Sequence, residues 1–97
     1  MRRVRFRTKA DSGLMSIRRS TIERWGREKA EDYVRSIAAA VERVASGRGR
    51  GRRAIDVAPD LWRIRVGSHG VYYRVAERYL DVLRILHERM DPARHLL

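Results

Sequence analysis

Two apolar runs of strand type lie only a few residues apart towards the C-terminal end of this chain, and they constrain its fold more than any other stretch. In the first, Gly67-Ser68-His69-Gly70-Val71-Tyr72-Tyr73-Arg74-Val75, the residues Val71, Tyr73 and Val75 alternate with Tyr72 and Arg74. That period of two suits a half-buried strand. In the second, residues 80–86 are apolar almost throughout, as expected of a strand covered on both faces. The link over 76–79 is short enough for a hairpin.

The rest of the chain supplies the cover. Val4 and Phe6 alternate with Arg3, Arg5 and Arg7, a short first strand. Asp11 and Ser12 are good N-cap residues for a helix that places Leu14, Ile17, Ile22 and Trp25 near one face, and Gly26 breaks it. Ala30, Tyr33, Val34, Ile37, Val41 and Val44 keep the i, i+3, i+4, i+7 spacing of a second helix, and Gly47 sits where a C′ glycine would end it. Glu23–Arg27 and Glu31–Arg35 are i, i+4 pairs in the favourable order. So short a break makes the two helices an antiparallel hairpin. After a basic, glycine-rich loop over 48–53, residues 61–66 read as a strand with Trp62, Ile64 and Val66 on one face and Arg63 and Arg65 on the other. Asp91 and Pro92 open one terminal helical turn. The order is β-α-α-β-β-β. A helical hairpin needs an apolar platform, and Trp62, Ile64, Val66, Tyr73 and Val75 provide it. The predicted class is therefore an α+β two-layer sandwich on a mostly antiparallel four-stranded sheet.

At 97 residues the chain is one domain, 1–97, with 43% hydrophobic residues for the core and 36% charged residues for the surface. It has no cysteine, which removes disulfides and thiol chemistry and suits a reducing cytoplasm. The basic N-terminus lacks an apolar segment behind it, and no stretch has membrane-spanning length, so a cytoplasmic protein is expected. Twenty-three lysines and arginines face 12 acids, a net charge of +11, nearly all of it from arginine. Such a surface suits a nucleic acid or an acidic protein, although codon bias alone also raises arginine content.

The pattern G-S-H-x-x-Y-Y-R-V, followed by V-L-R-I-L-H-x-R-M-D-x-x-R-H-L, closely resembles the ParE toxins of bacterial type II toxin–antitoxin modules, within the ParE/RelE superfamily. The element order is similar over nearly the whole chain. In the hairpin the resemblance rests on Trp25-Gly26-x-x-x-Ala30-x-x-Tyr33, a pattern that packing alone also explains. The C-terminal Arg84-Ile85-Leu86-His87-x-Arg89-Met90-Asp91-x-x-Arg94-His95-Leu96 is the specific part and looks like ParE rather than RelE. One departure is Asp11-Ser12-Gly13-Leu14, where the first helix of the family starts more acidic; it bears on local partner contacts.

The resemblance implies a growth-arrest toxin associated with plasmid maintenance, which inhibits DNA gyrase and replication by binding, without catalysis or cofactor. It further implies neutralisation by an acidic ParD-like antitoxin, which would make the only DNA contacts. That antitoxin would wrap the hairpin and the sheet. Trp25, Tyr33, Ile37 and Val41 would divide between core and an apolar groove, and Arg63, Arg65, Arg74 and Arg84 would receive acidic side chains. Read from the residues alone, those four arginines share a sheet face that grips phosphates or carboxylates, and any solvated sheet face shows similar alternation. Arg89, Arg94 and His95, in the C-terminal turn, would face the target.

The alternative is a RelE-type ribosome-dependent mRNA endonuclease. Its chemistry needs a base for the 2′-hydroxyl, a cation for the pentacoordinate state and an acid for the leaving oxygen. Arg65, Arg89 and His95 match those positions, but the lysines such enzymes use are missing and arginine is a poor proton donor at neutral pH. A third reading, a plain nucleic-acid-binding module, is permitted by the charge but has no base-reading motif. The 48–53 loop suits a nucleic acid, an acidic surface or a simple connector equally. His87 is expected to bond backbone, Arg89 and Asp91 to pair locally, and His69 to pack or turn. The three histidines fit no zinc spacing, so no metal is expected.

Overall fold

The computed structural model describes residues 1–96. The elements are β1 (Arg3–Phe6), α1 (Thr8–Trp25), α2 (Arg27–Ala45), β2 (Arg52–Arg53), β3 (Trp62–Val66), β4 (His69–Val75), β5 (Tyr79–His87) and α3 (Pro92–Leu96). They form one five-stranded sheet in the order β1-β5-β4-β3-β2, antiparallel except for β1 alongside β5. The fifth strand, β2, lies inside the stretch read as a loop; two arginines without apolar alternation give no strand signal. Helix α1 also starts earlier than Asp11 and Ser12 suggest. Its N-cap is Arg7, which makes no side-chain cap.

The helical hairpin lies on one sheet face. The chain breaks at Gly26 (φ 93°), and Ile17, Ile37 and Val41 pack onto Val71, Tyr73, Leu80, Val82 and Ile85. Each such side chain, taken fully from water, contributes about 1.5–3 kcal/mol. Beta-strand alternation alone could not put both Val82 and Ile85 on this face. A register shift between Tyr72 and Tyr73 sets Tyr72 opposite Arg84 and Tyr73 opposite Val82, so Leu83 is an extra residue that resets the alternation. The opposite face carries a smaller cluster, Ala54, Ala58, Leu61, Tyr72 and Leu86, with Val57, Leu83 and Leu96 against it. That thin second cover explains why 80–86 is apolar on both sides.

Several local expectations change. Glu31 bonds Arg18 of the neighbouring helix at 2.6 Å rather than Arg35, which pairs with Asp32. Gly26 lies between Glu23 and Arg27, and no ion pair joins them among the described residues. Asp91 caps the terminal turn, accepting from the Ala93 N–H at 3.1 Å, and forms no ion pair with Arg89 among the described residues. Val75 is 41% exposed, beyond the edge of the hairpin's cover.

Candidate functional site

Helix α1 approaches the backbone of β5 so closely that a Cβ on Gly13 would stand 3.2 Å from the Ile85 carbonyl oxygen. Beside that contact, Ser12, Ser16 and Ser20 fall at i, i+4 and i+8 along one stripe of the helix. Their small side chains leave a groove of about 980 Å³ between α1, the end of β5 and the β3–β4 turn. Ile17, Ile85, Leu86 and Met90 are its apolar lining, and Trp25 and Tyr33 add aromatic surface. Trp25 is 65% exposed, with the Lys29 ammonium 6.0 Å from its ring centroid. The charged residues lining the groove are Lys9, Arg24, Lys29 and Arg84, without a carboxylate. Both lysines of the chain are among them.

The deep end of the groove is a polar cluster. Tyr33 Oη donates to the Val66 carbonyl (3.0 Å) and lies 2.6 Å from His69 Nδ1, which can donate back to it. The turn residue Gly67 has φ +57°, and a Cβ there would lie 2.7 Å from Tyr33 Oη, so only glycine admits the tyrosine. His69 and His87, partners across β4 and β5, meet edge to face with centroids 5.2 Å apart. Burial chiefly, and His87 next, hold His69 below its ordinary pKa, with Glu88 opposing. His87 Nδ1 accepts from the Arg89 N–H at 3.2 Å, the backbone bond anticipated for it. Among the described residues, no three His, Asp or Glu side chains converge as a metal site requires.

The other sheet face does not present four convergent arginines. Arg74 is paired with Asp60 at 2.8 Å and Arg65 with Glu88. Arg63 reaches Tyr72 Oη at 3.4 Å, and Arg84 lies 3.2 Å from His95 Nδ1. Alternation identified the face; nothing in the sequence pattern revealed that Asp60 and Glu88 return to it. Of the expected groove residues, Trp25 and Tyr33 line the groove, whereas Ile37 (0% exposed) and Val41 (1%) are core and out of a partner's reach. The endonuclease set is not assembled either: Arg65 and His95 have different partners, and the depression around Arg65 is lined by neither Arg89 nor His95. Arg89 and Arg94 are exposed on the C-terminal segment, and His95 is half-buried. Sequence reasoning missed Lys9, Lys29 and the serine stripe; the i, i+4 spacing of small residues was the available signal.

Residues 4–92 match the family model described as the ParE toxin of the type II toxin–antitoxin system, parDE. Toxin ParE1 of Mycobacterium tuberculosis is 39% identical over 88 residues, covering 90% of each chain. Toxin ParE1 of Caulobacter vibrioides is 34% identical over 96 residues, covering 99% of each. A solved structure titled as a chromosomal ParDE system from P. aeruginosa superposes with a TM-score of 0.77 at 23% identity. That superposition covers 90% of this chain and 96% of the other.

Proposed function

Because the chain belongs to the ParE toxin family of type II toxin–antitoxin systems, we propose that it arrests growth in the cytoplasm by binding DNA gyrase, without catalysis, and that a ParD-like antitoxin silences it. The observation that carries the antitoxin half is the groove: an apolar floor, an exposed tryptophan and a wholly basic set of charges. An acidic amphipathic segment complements each of these, with Trp25 as its anchor and Lys9, Lys29 and Arg84 as its charge partners. Arg89, Arg94 and His95 remain the proposed gyrase-facing residues, on a segment that borders the groove through Met90 and through the contact of His95 with Arg84.

Expression alone should stop growth, and co-expression with the product of the adjacent reading frame should restore it. The purified chain should inhibit gyrase supercoiling and leave ribosome-bound mRNA intact. His95→Ala should then keep its toxicity, since losing one contact costs far less than losing a catalytic group. Codon-specific mRNA cleavage abolished by His95→Ala would replace this reading with the endonuclease. Trp25→Ala should weaken the antitoxin complex by about 10- to 100-fold, the range of a buried aromatic anchor. Its association rate should fall steeply as salt rises.

A further inference from the structure

On the face away from the hairpin, the register places Arg52 directly opposite Arg63. Arg50 lies just before β2 and Arg65 two residues after Arg63 on β3, and all four arginines line one depression of about 800 Å³. Like charges directly opposite on adjacent strands are destabilising. The carboxylates lining the depression, Asp56 and Glu88, are fewer than the guanidiniums, and Glu88 is committed to Arg65. Neither Arg50 nor Arg52 has an ion-pair partner among the described residues, and both are exposed. Glu88 offsets Arg65, and Tyr72 and Asp56 favour the charged Arg63, so the uncompensated charge is chiefly that of Arg50 and Arg52, which an anion bound between the strands would neutralise.

We propose that this arginine quartet binds the phosphate backbone of a nucleic-acid strand. Two residues along a strand span about 6.7 Å, close to the spacing of consecutive phosphates, while adjacent strands are about 4.8 Å apart. The Arg52–Arg63 pair can thus hold one phosphate with two forks, and the exposed Arg50 beside it can reach the neighbouring phosphate, with Arg65 closing the other side of the depression. The composition agrees. Both lysines lie in the groove, where an amphipathic peptide needs diffuse charge, and the depression has arginine alone, the planar phosphate-matching cation. Tyr72 is buried, with the Arg63 guanidinium 5.8 Å from its ring centroid, so it offers bases no free stacking surface, and the arginines read backbone, not bases. The depression adjoins the antitoxin groove and shares His69, Leu86, His87 and Met90 with it, but none of the four arginines lines the groove, and the proposal departs from the expectation that DNA is contacted through the antitoxin only. It stands or falls independently of the gyrase reading.

The test is fluorescence anisotropy of the purified chain with a labelled single-stranded oligonucleotide of about 20 nucleotides, in DNA and RNA forms, across a salt series. Arg50→Gln with Arg52→Gln should weaken binding about tenfold and flatten the salt slope by about 1.4, two contacts at roughly 0.7 each. DNA and RNA should behave alike. Arg27→Gln with Arg35→Gln, on the exposed side of α2, removes the same charge and should change affinity by less than about twofold. Circular dichroism checks that both variants fold, and Arg63→Gln provides a second variant on the same face. Equal weakening by the two double variants would reduce the effect to net charge and overturn the proposal. Tighter binding to polyglutamate of matched charge would assign the face to an acidic protein, and absence of salt-dependent binding would remove the site altogether. Antitoxin capture should be unchanged in Arg50→Gln/Arg52→Gln, which separates this outcome from failure of the groove.

Discussion

The two faces of the sheet are built to different rules. On the hairpin face, two long helices bury Ile37, Val41, Val71, Tyr73 and Val82 almost completely. On the other, the segment over 54–61, through Ala54, Ala58 and Leu61, and a five-residue helix, through Leu96, cover little more than Tyr72 and Leu86. The strands of that second face spend most of their remaining positions on charge. Arg5 bonds Asp81 at 2.5 Å, with Arg7 at 3.6 Å, and Arg74 bonds Asp60. The difference shows a division of labour in a small chain. One face supplies the bulk of the stability, which leaves the other free to tolerate clustered like charges.

Mutation should resolve that division. Ile37→Ala opens a cavity between helix and sheet, where neither rigid layer can close it, and should cost about 3–4 kcal/mol in urea unfolding. Leu86→Ala removes a similar volume beneath a short, loosely built cover that can settle inward, and should cost about 2 kcal/mol. Equal losses would break the comparison. Gly67→Ala drives a methyl group into Tyr33 and forces φ +57° on an alanine, so about 1–2 kcal/mol should be lost together with the shape of the groove's deep end. Asp81→Asn should cost less, because the paired arginines are partly solvated. Its clearest effect is on acid stability. The Arg5 hydrogen bond chiefly holds the Asp81 carboxyl below its usual 3.8. Its contribution is complete above that value and is lost as the pH falls through the depressed one, so Asp81→Asn should flatten the acid limb of the stability curve.

Much of this organisation is legible in the sequence, and the limits have physical causes. The hairpin, the alternation in β3 and β4, and the doubly covered β5 follow from periodicity, because burial imposes it. The Asp91–Pro92 start of α3 follows from capping chemistry. By contrast, β2 is two exposed arginines whose strand character comes only from pairing with β3. The side of the sheet served by Ile85 depends on a bulge at Leu83, which an uninterrupted apolar run conceals. In the site, Trp25 and Tyr33 were recognisable as candidates, but Ile37 and Val41 share Tyr33's helical face and only packing depth separates them. The pairing of Arg65 with Glu88 and of Arg74 with Asp60 is set by loop paths, on which local patterns are silent.

The smallest expected effect discriminates the faces most cleanly, because each has its own titrating reporter. His69 sits at the groove end of the hairpin face, with Tyr33 from α2 and with His87 and Glu88 from the end of β5 around it. Burial favours its neutral form, so its folded pKa lies below the ordinary 6.5. The unfolded chain then binds more protons between the two values, and stability must decline as pH falls through that window. The charged Asp81 on the other face stays ionised there and contributes no slope. Between about pH 7 and about pH 5, His69→Gln should therefore lose less stability than the parent chain, while Asp81→Asn should track the parent. A histidine titration followed by NMR gives the direct check. A His69 midpoint at or above 6.5 would mean that the groove end is wetter than its packing implies, and the two faces would then no longer separate by pH.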